Sequence, residues 1–408
     1  MHVFIPKECA DGETRVAATP ETVKLMKKAG LDVAVERGAG HESHFADEAY
    51  EAAGATLADD AAAEWRKADL VLKVSPPADN PRLGAHEASL AKEGAVVLGF
   101  MKPYEEHDML RTLLSRKVTS LSMELVPRIT RAQKMDALSS QASIGGYKAV
   151  VLAAAHLPKY FPLLMTAAGT IKPAKVVVMG AGVAGLQAIA TAKRLGAVVF
   201  ASDIRAAVKE QIESLGGKFI PLPESEESGE GKGGYARQVS KEYLAEQQRI
   251  VHEYLVEADV VICTALVPGR KAPVLVKASS VEAMKPGAVI VDMAVAQGGN
   301  CELSEEGKDV VKHGVLIIGH PNLPATMPYD ASLVYSRNVW ALVDHIVKDG
   351  ALVIDSEEEV TTGCLLTHAG KVHHAPTREA MGLEAEETKP EPETKGDDEE
   401  EADEEEES

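Results

Sequence analysis

Residues 176–203 read VVVMGAGVAGLQAIATAKRLGAVVFASD. A continuous β-branched run, the mark of a strand buried on both faces, leads into Gly180-x-Gly182-x-x-Gly185 and a helical stretch. A second apolar run then ends in Asp203, 23 positions after Gly180. Each piece has a physical task. Gly180 permits the tight turn, Gly182 lets the backbone approach a pyrophosphate, and Gly185 lets the helix pack closely on the strand. The pyrophosphate then rests on the positive N-terminus of that helix. Asp203 stands where a carboxylate accepts hydrogen bonds from a ribose 2′-hydroxyl and repels a 2′-phosphate, which selects NAD over NADP. Arg205 is able to meet a 2′-phosphate, but behind Asp203 it is read as support for the site or for the adenosine end.

Outward from this unit the rhythm continues. From Lys175 the order is strand, helix 183–195, strand, helix 206–215, strand "GKFIPL", polar loop 223–234 and helix 237–257. Strands "DVVICTA", "AVIVDMA" and "GVLIIG" follow, with a short helix 280–284 between the first two. Residues 175–329 are therefore expected to form a doubly wound parallel domain. Residues 1–138 open with "HVFIP" and a helix 20–28 closed by Gly30, and also alternate strands with helices. Residues 330–383, too short to fold alone, are expected to complete that first domain. Between them, 139–174 read as a linking helical pattern, interrupted by "IGGYK", and an extended hairpin "LLMTAAGTIKPA". The expected fold is α/β: two Rossmann-like doubly wound domains separated by a cleft, the first discontinuous.

Composition agrees. The chain has 408 residues, 45% hydrophobic and only 4% aromatic, so Val, Ile, Leu and Ala do the packing. No apolar run has the length of a membrane span, and the opening lacks a signal-peptide pattern. Four scattered cysteines read as reduced thiols, and the 13 histidines show no metal spacing. Of the net charge of −20, residues 384–408 carry −13 (15 acidic residues, 2 lysines), leaving −7 for the rest. That tail has nothing to bury and is expected to be disordered. No basic stripe offers itself to nucleic acid.

A second stretch asks for explanation. "ELVPRITRAQKMDALSSQASIGGYKAV", residues 124–150, crowds Arg128, Arg131, Gln133, Lys134, Asp136, Ser139 and Ser140 between Pro127 and Gly145-Gly146. Its residues alone fit either a binding loop or a solvated helix start after Pro127. Tyr235, in "GEGKGGYARQV", is likewise either the aromatic residue of a lid or part of a plain surface loop.

"IPKECADGETRVAATPETVKLMKKAG" and the glycine segment resemble two signatures shared by alanine dehydrogenases and nicotinamide nucleotide transhydrogenases. "PRITRAQKMDALSSQ" is similar to the Arg-Gln-Asp loop of the NAD(H)-binding component of proton-translocating transhydrogenases. "GTIKPAKVVV", "GGYARQV", "TALVPGRKAPVLV" and "GGNCELSE" look like the same component, so the resemblance spans about residues 1–383. It implies that NAD(H) is bound here and that hydride passes directly to NADP(H) on a partner subunit. A membrane subunit would couple the reaction to proton movement. Arg128, Gln133 and Asp136 would lie beside the nicotinamide, with Ser139 nearby. Gly180, Gly182, Val183, Ala184, Gly185, Asp203, Arg205, Gly234, Tyr235, Ala265 and Leu266 would complete the cofactor site. The resemblance further implies a homodimer joined through the hairpin, active only with its partner subunits. It would sit in the cytoplasm, held peripherally at the inner membrane by those subunits without inserting itself.

Direct hydride transfer between two nicotinamides needs no general acid or base; it needs two rings aligned with water excluded. A loop dense in donors and acceptors suits that positioning task. The rival reading is an alanine-type dehydrogenase, whose chemistry does need a proton acceptor. Arg15 and Lys73 match the residues that hold the substrate carboxylate in that family, but its histidine falls at Lys102 and its aspartate at Ala296. Arg15 and Lys73 then remain as structural ion-pair residues. A nucleotide-binding regulator without chemistry is the third reading, and the intact Arg-Gln-Asp set speaks against it.

Overall fold

In a computed structural model of the protein, which describes residues 1–221 and 241–383 apart from 268, 349 and 356, two sheets carry the fold. The second contains the glycine turn. Its order is Lys218–Phe219, Val198–Ser202, Lys175–Met179, Val260–Cys263, Val289–Asp292, Val315–Gly319 and Lys308–Lys312. The chain starts in the middle, at Lys175–Met179, builds to one side and then crosses to Val260–Cys263 on the other. The reversal leaves a crevice at the C-terminal ends of those two strands. All pairings are parallel except the last, where Lys308–Lys312 runs antiparallel on Val315–Gly319. That edge strand escapes a sequence reading because it is lysine-flanked and half exposed, as edge strands are.

The first sheet repeats the scheme. Its order is Lys371–Val372, Leu365–His368, Thr119–Ser122, Val96–Gly99, Leu70–Leu72, His2–Ile5, Asp32–Glu36 and Thr56–Ala58. Here the order reverses between His2–Ile5 and Leu70–Leu72. The strand Leu365–His368 joins antiparallel to Thr119–Ser122, so each sheet is parallel at its centre and carries antiparallel strands at one edge. The strands Thr56–Ala58 and Thr119–Ser122 are too short for the sequence pattern to reveal, whereas the helix His107–Ser115, also absent from the expected elements, does carry an apolar stripe at Met109, Leu110 and Leu113.

Both faces of each sheet are covered. Val3 and Ile5 pack into one apolar cluster and Phe4 into another; Val176 and Val178 alternate in the same way with Val177 and Met179. The helix Pro328–Ile346 buries Tyr335, Val339, Leu342, Val343 and Ile346 in the core of the first sheet. The hairpin forms as expected, Leu164–Thr166 against Gly169–Ile171.

One expectation is overturned. The helical pattern of 139–161 is not interrupted at "IGGYK": a single helix runs Ala137–His156. The glycines stay helical because neighbouring segments of the chain come too close for side chains. A Cβ on Gly146 would stand 2.1 Å from the carbonyl oxygen of Ala184, and one on Gly145 would stand 2.7 Å from Met293 Cε. Contact with a second helix outweighs the cost of about 1 kcal/mol that glycine carries within a helix. This linking helix buries Ala137 in the first core and Ala149, Val150 and Ala153 in the second.

Candidate functional site

The crevice of the second sheet is built of backbone. Gly180 takes φ +96°, and a Cβ there would meet Thr264 Oγ1 at 2.8 Å. Thr264 itself donates its hydroxyl to the carbonyls of Met179 and Gly180 at 3.2 and 3.0 Å, tying the two strand ends together. A Cβ on Gly185 would fall 1.9 Å from the Gly180 carbonyl oxygen, so the helix Val183–Arg194 can lie on its strand only with glycine there. Gly182 is different: a Cβ there would touch nothing within 4 Å. It caps the helix without a side-chain bond, and its neighbours Val183 and Ala184 start the first turn. The open space and the helix N-terminal amides together suit a pyrophosphate.

Asp203 is buried at the end of Val198–Ser202. Its Oδ2 accepts from the Ala181 amide at 2.7 Å and from Arg205 Nη2 at 2.8 Å; its Oδ1 accepts from the Arg205 amide at 2.9 Å and from Arg205 Nε at 3.0 Å. The carboxylate therefore braces the glycine turn, and Arg205 lies on it as a fork. Across the crevice, Ala265 and the exposed Leu266 follow Val260–Cys263. Ala265 is clamped by the wholly buried Asn300, which accepts from its amide at 3.0 Å and donates to its carbonyl at 2.9 Å. Asn300 and Cys301 donate their amides in turn to buried Asp292, at 3.2 and 2.9 Å. Neither Asn300 nor Asp292 stands out in the sequence, except through the Gly298-Gly299 pair that turns the chain at positive φ between them.

The Arg-Gln-Asp loop lies at the other end of the linking helix. Residues Thr130–Met135 form a 3-10 turn pinned in the first core by Ala132 and Met135. The α-helix begins at Ala137, not just after Pro127. Asp136 caps it, accepting at Oδ1 from the Ser139 amide at 2.9 Å and at Oδ2 from the Ser139 hydroxyl at 2.5 Å. Asn338 secures the turn from Pro328–Ile346, donating to the Lys134 carbonyl at 2.8 Å and accepting from the Ser140 hydroxyl at 2.7 Å. Arg128 and Gln133 are exposed. Gly146, which packs on Ala184, follows Ala137 by nine positions, so about 14 Å of helix separates the loop from the glycine turn. Gly234 and Tyr235 lie outside the described residues.

Two ion-pair clusters line the first sheet where its C-terminal ends approach the second. Arg15 grips Glu13 through Nε and Nη2 at 2.7 and 2.6 Å, and donates to Gln141 of the linking helix at 2.8 Å. These bonds hold the Glu13 carboxyl below the usual range although burial pushes it up. Glu13 also accepts from Asn322, just past Val315–Gly319, at 3.2 Å. Lys73 lies wholly buried, 3.0 Å from Glu8 Oε2 and 3.0 Å from Glu87 Oε2. Burial lifts the Glu8 carboxyl to about 7 against the pull of Lys73. Lys102 takes φ +44° and donates its amide to Glu124 at 2.9 Å, and Ala296 is exposed.

Among the described residues no group of three or more His, Cys, Asp or Glu is placed to hold a metal ion. No described helix is long and apolar enough to cross a membrane.

Residues 4–145 match the family model described as alanine dehydrogenase/PNT, N-terminal domain, and residues 149–375 match its C-terminal counterpart. The first portion of the NAD(P) transhydrogenase alpha subunit of Rhodospirillum rubrum is 49% identical over 377 residues, covering 92% of this chain and 98% of that protein. A crystal structure of transhydrogenase from Sinorhizobium meliloti superposes with a TM-score of 0.81 at 45% identity, over 91% of this chain and all of that one. The alanine dehydrogenase of Bacillus subtilis is 29% identical over 94% of this chain and 96% of its own.

Proposed function

Because the chain belongs to the alanine dehydrogenase/transhydrogenase family, we propose that it is the NAD(H)-binding subunit of a proton-translocating transhydrogenase. It passes hydride between NADH and an NADP held by a partner subunit. A membrane subunit couples that transfer to proton movement, so the chain acts with its partners and associates with the membrane through them. The reading makes it a transhydrogenase of the Re/Si-specific kind.

One observation carries the proposal. A single helix starts at the Arg-Gln-Asp loop and packs its Gly146 against Ala184 of the glycine turn, so a nucleotide whose pyrophosphate rests at Gly182 is directed along it toward Gln133. In this reading Gly180, Gly182, Val183, Ala184 and Gly185 hold the pyrophosphate. Asp203 and Arg205 meet the adenosine ribose, and Ala265 and Leu266 flank the nucleotide, with Gly234 and Tyr235 of the neighbouring loop completing the site. Gln133, able to donate and accept at once, orients the carboxamide or the second nucleotide, and Arg128 stands beside it. Asp136 and Ser139 act on the ring through the shape of the helix start. No proton acceptor is required, in keeping with Lys102 and Ala296 where the dehydrogenases carry histidine and aspartate. Arg15 and Lys73 already spend their charge on Glu13, Glu8 and Glu87, which disfavours a substrate carboxylate.

The same reading gives a homodimer joined by the hairpin. Met165 is 79% exposed and Leu163 54%, an apolar surface that a second copy would cover. Sedimentation at micromolar concentration should show a dimer; a monomer overturns the assignment.

The decisive experiment assembles the chain with its partners and compares Gln133→Asn with wild type. Single-turnover hydride transfer should fall at least about tenfold, or roughly 1.4 kcal/mol of barrier, with NADH affinity little changed. The isolated protein should not reduce NAD with alanine. Alanine turnover at enzyme-like rates, indifferent to Gln133, would establish the dehydrogenase reading instead.

A further inference from the structure

The loop carrying Gln133 is held by a segment from the far end of the chain. Leu365 lies opposite Leu121 in the sheet, and this register sets the short helix Glu359–Cys364 beside the turn Met123–Leu125. Two contacts then reach the loop. Gly363 meets Pro127 so closely that a Cβ would stand 2.9 Å from Pro127 Cδ. At the helix start, Arg131 Nη2 lies 3.1 Å from Glu358 Oε1 and 2.9 Å from Glu359 Oε2. Pro127 and Arg131 bracket Arg128, and Gln133 follows within the same 3-10 turn.

Glu358 is fixed before it meets Arg131. Its Oε2 accepts from the Thr361 amide at 2.8 Å and the Thr361 hydroxyl at 3.0 Å, and lies 2.8 Å from His345 Nε2. One oxygen thus caps the short helix and is steadied by Pro328–Ile346, while the other adds its charge beside Arg131, whose hydrogen bond goes to Glu359 at 2.9 Å. A paired charge that is half exposed contributes little to folding. The same pair contributes far more to a reaction that depends on alignment, because a small misplacement of a positioning group costs rate out of proportion to its binding energy.

We propose that Glu358 is a positioning residue for hydride transfer, setting through Arg131 the pose of residues 128–133 and hence of Gln133 against the nicotinamide. The proposal rests on the reading of that loop as the nicotinamide site. The side chain of Glu358 touches neither nucleotide; its action is transmitted entirely through the loop.

The test uses the transhydrogenase assembled from the full chain and its partner subunits. It compares Gln133→Asn, Glu358→Gln, Arg131→Met, Arg131→Lys and the double variant Glu358→Gln/Arg131→Met. Glutamine keeps an acceptor for Thr361 while removing the charge that faces Arg131. Arg131 is 56% exposed, so its replacement leaves the fold intact even where Glu358→Gln loosens the helix cap. Single-turnover transfer should fall about three- to tenfold in Glu358→Gln and in Arg131→Met, with no further fall in the double variant. NADH affinity should stay within about twofold, Arg131→Lys should recover some of the rate, and amide exchange at 128–135 should quicken in the slow variants. A wild-type rate in either Glu358→Gln or Arg131→Met, with Gln133→Asn still slow, would overturn the proposal. So would losses that multiply in the double variant. If Gln133→Asn also transfers hydride at the wild-type rate, the reading of the loop fails and the proposal falls with it.

Discussion

At the point where strand order reverses, the second sheet presents backbone and open space, whereas the first packs charge. Gly180 and Thr264 face each other across one crevice, and a Cβ on neighbouring Gly182 would touch nothing. At the equivalent place in the first sheet, just past His2–Ile5 and Leu70–Leu72, Glu8 and Glu87 close on Lys73. The two crevices share a topology, so topology alone does not decide which one receives a ligand. The difference lies in side chains: glycine keeps helix amides accessible, and a buried ion cluster fills its own site.

The comparison breaks most visibly at Lys73. Lys73→Met leaves Glu8 and Glu87 buried without a counter-charge, and urea unfolding at pH 7 should show a loss of about 3–5 kcal/mol. A loss under about 1 kcal/mol would mean that the first crevice admits water and is no plug. Gly185→Ala drives a Cβ into the Gly180 carbonyl and should cost about 3 kcal/mol, at the upper end for overpacking. Gly182→Ala should leave stability within about 1 kcal/mol and weaken NADH at least about tenfold, or about 1.4 kcal/mol, because its methyl group enters the ligand's space. Equal effects from the two glycines, in stability or in binding, would erase the distinction between packing and docking.

Smaller effects sharpen the picture. Asp203→Asn removes the charge on which Arg205 is forked, and calorimetry should show NADH binding weakened by about 1–3 kcal/mol, with the preference over NADPH narrowed. An unchanged preference would assign the choice of cofactor elsewhere. The last effect is a pH dependence. The Glu8 carboxyl, lifted from 4.5 to about 7 in the folded protein, holds its proton there while the unfolded chain has lost it. Its contribution to stability is complete below about pH 4.5 and is lost as pH rises through 7. Urea midpoints between pH 5 and 8 should therefore decline less in Glu8→Gln than in wild type.

What could be read in advance follows the range of the forces involved. The glycine turn is legible because its requirements are local: a positive φ at Gly180 and a missing Cβ at Gly185 concern residues within one strand-turn-helix unit. Alternation of strands and helices, the hairpin and the acid after the second strand are local in the same sense. The glycines of the linking helix mislead for the opposite reason. Gly145 and Gly146 look like breakers, but their neighbours Met293 and Ala184 come from elsewhere in the chain and reward the absence of a side chain.

The order of residues was enough to establish the α/β class and to point to the glycine turn with its carboxylate and, through resemblance, to the loop around Gln133. Each of these is written in consecutive residues, where backbone sterics and hydrogen-bonding capacity act over a few positions. Folding in three dimensions was needed to show which crevice stays open, that Asp136 and Ser139 serve the helix start, and that Asn300 clamps Ala265. It was needed also to set Glu358 against Arg131. Those relations join residues far apart in the chain, and only the packing of two sheets around one shared helix brings their partners within hydrogen-bond reach.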